Sequence, residues 1–222
     1  MLSFLFFLKT CFFELRVLLA PAFCYVCRTC YEVQEGLCSM CRDAIIPIVS
    51  MPLHVAPKRA ITVHAVTDYD GPLRTLALKK NYGMMGASRV LGALMYEHTA
   101  IRFQTFDVIV PVPLHWTRYA WRWFNQSEVI AKILHEKMGI PVVALVRRKN
   151  RTRFQVGLSK EERHTNLRNV FCLSADANQY KGKRILVVDD VCTTGTTIKE
   201  VCRVLALLEP ENIEVAVACR VV

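Results

Sequence analysis

From Ile61 onward the chain alternates short β-branched runs with longer stripes at helical spacing. ITVHAVTDYDGPLR, residues 61 to 74, reads as an alternating strand that closes on an Asp70-Gly71 turn. Ser88 to His98 carries Val90, Leu91, Leu94 and Met95 on one helical face. Asp107 to Val112 is a β-branched run ending at Pro113. Ser127 to Met138 repeats the helical stripe through Val129, Ile130, Ile133 and Leu134, with Gly139 as its stop. Val142 to Val146 reads as a strand, and Ile185 to Val188 as a short buried one. The next helix shows Ile198, Val201, Cys202, Leu205 and Leu208 on one face until Pro210, and Ile213 to Cys219 closes the chain as a strand. Strands alternating with helices predict an α/β fold: a largely parallel, buried sheet flanked by helices.

The preceding residues follow other patterns. Residues 46 to 60 hold Pro47, Pro52 and Pro57 without a helical period, and read as a linker. Residues 1 to 20, MLSFLFFLKTCFFELRVLLA, read as an amphipathic or buried helix stopped by Pro21. A secretory signal places its positive charge before the apolar stretch, whereas Lys9 follows Leu2 to Leu8. Lys9, Glu14 and Arg16 also keep this stretch below the ~18 apolar residues of a membrane span. Attachment of this helix to a membrane surface is the alternative, although its basic face is thin.

Composition narrows the function. Hydrophobic residues make up 53% of the 222 and charged residues 22%, which excludes global disorder. Lys and Arg number 29 against 19 Asp and Glu, a net charge of +10 that favours polyanionic partners such as nucleic acid or phosphorylated metabolites.

Ten cysteines suggest disulfides until their spacing is read. Cys24 and Cys27 form one C-x-x-C, and Cys38 and Cys41 a second. Paired knuckles of this kind place four thiolates tetrahedrally around zinc, which stands in for the core so small a segment cannot build. Cys30 adds a further C-x-x-C register with Cys27 and is a candidate substitute ligand. The pattern implies structural rather than catalytic zinc, and thiolate zinc beside scattered single cysteines implies a reducing cytoplasm.

The most informative stretch is ILVVDDVCTTGTTIKE, residues 185 to 200. A buried strand ends in Asp189 and Asp190. Val191, Cys192, Thr193, Thr194, Gly195, Thr196 and Thr197 follow, and then a helix begins. A small hydroxyl-rich loop at a helix N-terminus offers N–H groups, hydroxyls and the positive dipole end to a phosphate. The two acids match a ribose diol or a magnesium ion beside it. No Lys follows the glycine, so this is not a Walker A loop.

This stretch resembles the thirteen-residue phosphoribosyl pyrophosphate (PRPP) motif of type I phosphoribosyltransferases. The resemblance implies that Asp189 and Asp190 hold the ribose hydroxyls, the catalytic positions of an active member, and that Thr193 to Thr197 wrap the 5′-phosphate, with Mg²⁺ accompanying PRPP. Further markers resemble the ComF family of competence-associated proteins, also called GntX-like, over nearly the whole chain. They are Tyr69-Asp70-Gly71-Pro72-Leu73, Val110-Pro111-Val112-Pro113-Leu114 and Phe124-Asn125-Gln126, then Thr152, Gln155, Leu158, Arg163 and Asn166. Trp123 stands where that family usually has glycine. The implied organisation is an N-terminal helix (1–20), a zinc ribbon (21–45), a linker (46–60) and a type I phosphoribosyltransferase-like domain (61–222).

Two basic surfaces complete the reading. By the same resemblance, the loop after the first sheet strand binds pyrophosphate, with Arg118 and Arg122 as its ligands. Trp116, Trp121 and Trp123 interleave with these arginines, as a single-strand stacking platform requires and as packing against a partner also would. The second surface, residues 147 to 168, carries Arg147, Arg148, Arg151, Arg153 and Arg163 together with Gln155. It could close over pyrophosphate, track a nucleic-acid backbone, or be a solvated face. The histidines show no metal spacing, and no G-x-S-x-G or His-Glu-x-x-His occurs, which argues against hydrolase or catalytic-zinc chemistry.

Two functions stay open. One is a PRPP- and single-stranded-DNA-binding module acting during DNA uptake for natural transformation, in the cytoplasm or at the inner face of the membrane, beside an uptake helicase or channel. The other is an active phosphoribosyltransferase of nucleotide or amine metabolism that releases pyrophosphate.

Overall fold

The computed structural model describes residues 23–56, 59–79, 85–114, 124–149 and 170–221. Its elements in chain order are α1 (Ser39–Asp43), β1 (Met51–Ala56), β2 (Arg59–Asp68), α2 (Gly71–Lys79), α3 (Met85–His98), β3 (Val108–Pro111) and α4 (Gln126–Met138). β4 (Val146–Arg148), β5 (Phe171–Leu173), β6 (Arg184–Val188), β7 (Val191–Cys192), α5 (Thr196–Leu205) and β8 (Asn212–Arg220) follow.

The main sheet runs β1-β2-β8-β6-β3, and the short β7 extends the pairing of β8. Only the β1–β2 pair is antiparallel; β2–β8, β6–β8, β7–β8 and β3–β6 are all parallel. Both faces are covered, so the central strands are apolar at every position rather than at every second one. Leu186, Val188, Ala216 and Ala218 point into a core shared with α2, α3 and α4, while Ile185, Val187, Val215 and Val217 point into one shared with α5. Each such Leu, Ile or Val contributes about 1.5–3 kcal/mol on burial.

Several sequence expectations need correction. Within the expected linker, residues 51–56 form β1, an edge strand paired with β2 from Met51↔Val63 to Ala56↔Arg59. An edge position tolerates the missing N–H of Pro52, and Leu53 and Val55 turn inward against the second core. The Asp70-Gly71 turn is the start of helix α2. Asp70 Oδ1 accepts the Gly71 N–H at 2.7 Å, Pro72 occupies the first turn where its missing donor costs nothing, and Leu73, Leu76 and Ala77 are buried. The strand expected over Val142 to Val146 touches the sheet only through a parallel bridge from Val142 to Ile109; the chain then departs to form the separate β4–β5 ribbon. Helix α4 does end at Gly139, which is left-handed with φ +73°. The N-terminal helix over 1–20 lies outside the described residues. Among the described residues no helix is long and apolar enough to cross a membrane.

His64 is a buried polar exception in the sheet at 3% exposure. Its Nε2 lies 2.5 Å from Glu214 Oε2 and its Nδ1 2.7 Å from Ser50 Oγ, so one ring ties β8, β2 and the approach to β1 together. Glu214 Oε1 accepts from Asn212 Nδ2 at 2.8 Å, which completes the satisfied network that a buried polar group requires. The cysteine knuckles share the first core: Cys24, Leu37, Cys38 and Ile45 are buried with Val90, Leu91 and Ile130. Arg42–Glu97 at 3.0 Å and Lys137–Glu35 at 3.5 Å fasten the knuckles to α3 and α4.

A second clamp joins the starts of β3 and β6. Arg184 donates to Asp107 through Nε (3.2 Å), Nη2 (3.0 Å) and its backbone N–H (2.8 Å). These bonds hold the Asp107 carboxyl down at about 2. Its stabilisation is therefore complete above the ordinary carboxylate value of about 4 and is lost as pH falls through about 2. In urea titrations the Asp107→Asn variant is expected to unfold earlier than wild type at pH 7, and the gap should narrow between pH 4 and pH 2. A gap independent of pH overturns the assignment.

Candidate functional site: a phosphate cradle beside two acids

Strand β6 leaves the sheet at its carboxyl end with Asp189 and Asp190, both partly exposed. The backbone holds them in place. Asp189 N–H donates to Ala216 O at 3.1 Å, and Asp190 O accepts from Ala218 N–H at 3.1 Å and Cys219 N–H at 3.3 Å. Asp189 Oδ1 accepts the Asp190 N–H and the Ser127 hydroxyl, each at 2.9 Å. The acids thus stand between the first turn of α4 and the end of β8.

The loop continues through Val191 and Cys192, which pair with Cys219 and Arg220 as β7, to exposed Thr193 and Thr194. Gly195 is the N-cap of α5, left-handed at φ +70°. A Cβ built there would lie 3.1 and 3.2 Å from the two terminal methyls of Leu53. Two independent demands therefore select glycine, the backbone conformation and the closeness of β1. Thr194 Oγ1 lies 2.9 Å from Thr196 Oγ1, and Thr197 is exposed beside them. The first N–H groups of a helix have no carbonyl partner within it, so a hydroxyl-lined turn opening onto α5 offers an anion both donors and the positive dipole end. Burial, helped by the charge of Asp189, pushes the Cys192 thiol above its ordinary value. Cys192 is thus a poor thiolate and fits the role of a small spacer.

The four cysteines of the knuckles converge. The sulfurs of Cys24, Cys27, Cys38 and Cys41 all lie within 4.8 Å of one another. Zinc at about 2.3 Å from each of four tetrahedral thiolates requires sulfur separations near 3.8 Å, so a slight contraction satisfies the metal. Hydrogen bonds from the Thr29 hydroxyl and backbone lower Cys27 to about 5, while burial and neighbouring sulfurs push Cys41 up to about 12. A bound dication would supply the positive charge that lets four thiolates stand side by side. The set fits a closed thiolate site, with Cys30 outside the four.

Of the remaining expected residues, Arg147 is exposed on β4 and Arg148 lies over the Phe171 ring at 5.3 Å. Trp116, Arg118, Trp121, Arg122, Arg151, Arg153, Gln155 and Arg163 lie outside the described residues. The sequence reading missed Ser127 and Leu53 as parts of the site. Their partners, Asp189 and Gly195, are far along the chain, and no local pattern announces such pairs.

Comparison with known proteins adds to this geometry. The phosphoribosyl transferase domain family matches residues 125–221. Competence protein ComFC of Bacillus subtilis is 30% identical over 198 residues, 77% of this chain and 78% of that protein. The chain belongs to the ComF family. Other relatives of this ComF protein carry related names. DNA utilization protein YhgH of Escherichia coli K12 is 29% identical over 92% of this chain and 99% of its own length. Competence protein F of Haemophilus influenzae is 37% identical over 49% of this chain and 48% of its own length, so that match spans about half of the relative. A solved adenine phosphoribosyltransferase aligns over 78% of this chain and 85% of its own at 16% identity, with a TM-score of 0.41. The family match and the sheet order agree with the expected type I phosphoribosyltransferase-like class.

Two outcomes follow for this ComF protein. Metal analysis is expected to give about one zinc per chain, and Cys24→Ser or Cys38→Ser should lose the ion and lower the melting temperature together; retention of metal by both variants would refute the site. Gly195→Ala should destabilise the fold by about 1–2 kcal/mol, from the left-handed backbone and the Leu53 contact, as read by chemical unfolding.

Proposed function

We propose that this protein binds Mg²⁺-PRPP at the edge formed by Asp189, Asp190 and the Thr193–Thr197 loop, and handles single-stranded DNA beside it during DNA uptake. The observation that carries the first half is the direct succession, at one sheet edge, of a fixed acid pair and a hydroxyl-lined helix N-terminus. A 5-phosphorylated ribose presents the complementary pair of groups: a phosphate for the N–H and hydroxyl donors, and a vicinal diol for the carboxylates. Magnesium would neutralise charge on the pyrophosphate, and the acids that face the sugar are also suited to hold its hydration shell. The cradle grips the phosphate, the acids orient the ring, and Arg118 and Arg122 are proposed for the pyrophosphate oxygens.

The second half draws on the names of the competence and DNA-utilization relatives, and on the net charge of +10. The β4–β5 ribbon supports it by presenting Arg147 and Lys149 to solvent at the start of the 147–168 basic stretch. Trp116 and Trp121 are proposed as base-stacking residues, and an uptake helicase or channel as the protein partner. The clustered thiols of the knuckles favour action in the reducing cytoplasm.

Calorimetry with Mg²⁺-PRPP is expected to show binding that Asp190→Ala weakens by about tenfold or more. No heat from wild type overturns the ligand. Release of pyrophosphate with pooled bases, absent in Asp190→Ala, would instead establish an active transferase. For DNA, Arg151→Glu with Arg153→Glu should weaken single-strand binding and flatten the salt slope by about 1.4, since each phosphate contact contributes about 0.7. An unchanged slope removes both residues from the interface.

A further inference from the structure

Helix α4 begins within reach of the acids, and its cap is built from two buried polar side chains. Asn125 and Ser127 are each 3% exposed. Asn125 Oδ1 accepts the Ser127 N–H at 3.2 Å, and Asn125 Nδ2 donates to Val112 O at 3.1 Å, just past the end of β3. Ser127 Oγ then donates to Asp189 Oδ1 at 2.9 Å. One continuous chain of hydrogen bonds runs from the end of β3, through the cap of α4, to the first acid after β6.

The two donors on Asp189 Oδ1 are not equivalent. The Asp190 N–H belongs to the next residue, on a backbone pinned to β8, and holds the carboxylate from within the loop. Ser127 is 62 residues away and is seated on a different element. A terminal carboxylate torsion is broad when nothing holds it, and a charge-assisted hydrogen bond from a buried, capped helix narrows it. Ser127 is the contact among these that constrains the plane of the carboxylate from outside the loop, and with it the direction in which it offers oxygen to a ligand.

We propose that Ser127 is a positioning residue that orients Asp189 toward the vicinal diol of a 5-phosphorylated ribose; this rests on the reading of Asp189 as a sugar-binding acid. Ser127 does not itself touch the sugar. It acts on the diol and not on the phosphate, because the threonine loop is held by separate contacts to Leu53 and by the start of α5.

The test is calorimetric titration of the full chain with Mg²⁺-PRPP, ribose 5-phosphate and ethyl phosphate, the last carrying no hydroxyl. Ser127→Ala should weaken PRPP and ribose 5-phosphate by about tenfold, the loss of one hydrogen bond to a charged group, while ethyl phosphate binds as in wild type. Ser127→Thr, which keeps the hydroxyl, should return both to near the wild-type value. Ser127→Cys, close in size with a poor donor, should behave like Ala and keeps the test informative should the Ala variant unfold. Unchanged affinity for the sugar ligands in the Ala and Cys variants overturns the proposal, as does an equal loss for all three ligands, which marks a merely structural cap. Absence of PRPP binding in wild type defeats the ligand reading itself and the positioning role with it, an outcome distinct from the other two.

Discussion

Strand β6 is hydrogen-bonded on both sides, to β3 and to β8, and its residues 185 to 188 are buried on both faces. Such a strand has no room for a charge along its length, since an unpaired buried carboxylate costs several kcal/mol. Its first acids can stand only where the sheet stops. Parallel pairing with β8 then puts the end of β8 beside them, so that Ala218 and Cys219 take up the Asp190 carbonyl. The site is a consequence of this constraint: parallel strands that end together make an edge where backbone donors, acids and a helix N-terminus share one small volume.

The same edge is braced from two sides that are remote in sequence. From α4 comes the Ser127 hydroxyl on Asp189, and from β1 come the Leu53 methyls against Gly195. β1 itself is secured by its ladder to β2, and β2 is tied to β8 through His64 and Glu214. The acids and the phosphate loop therefore have separate supports, and a change in one support need not disturb the other. A substitution at Ser127 would therefore reach the acids without passing through β1.

The legible parts of the sequence were those in which local pattern and final structure share a cause. β6, α5 and β8 were readable because the apolar period, the acid pair and the glycine all lie within one stretch, residues 184 to 220. The cysteine pairs were readable because metal geometry fixes ligand spacing. β1 was not, because three prolines mask an edge strand whose stability comes from β2 and from Leu53 meeting Gly195. Helix α2 was hidden by an Asp-Gly pair that serves as its N-terminus instead of a turn. Ser127 was visible only as a helix residue, since its role depends on a partner 62 positions away.

The knuckles enter this balance through packing. Cys24 and Cys38 are buried in the core that holds α3 and α4, so their ordering and that of the helices are not independent. A segment of some twenty residues cannot bury enough surface to hold itself, and a thiolate-bound dication would supply the missing free energy. The four cysteines pack against the helix pair whose far member carries Ser127 on its first turn. The cluster sits on the same face of the sheet as that helix, within the first core.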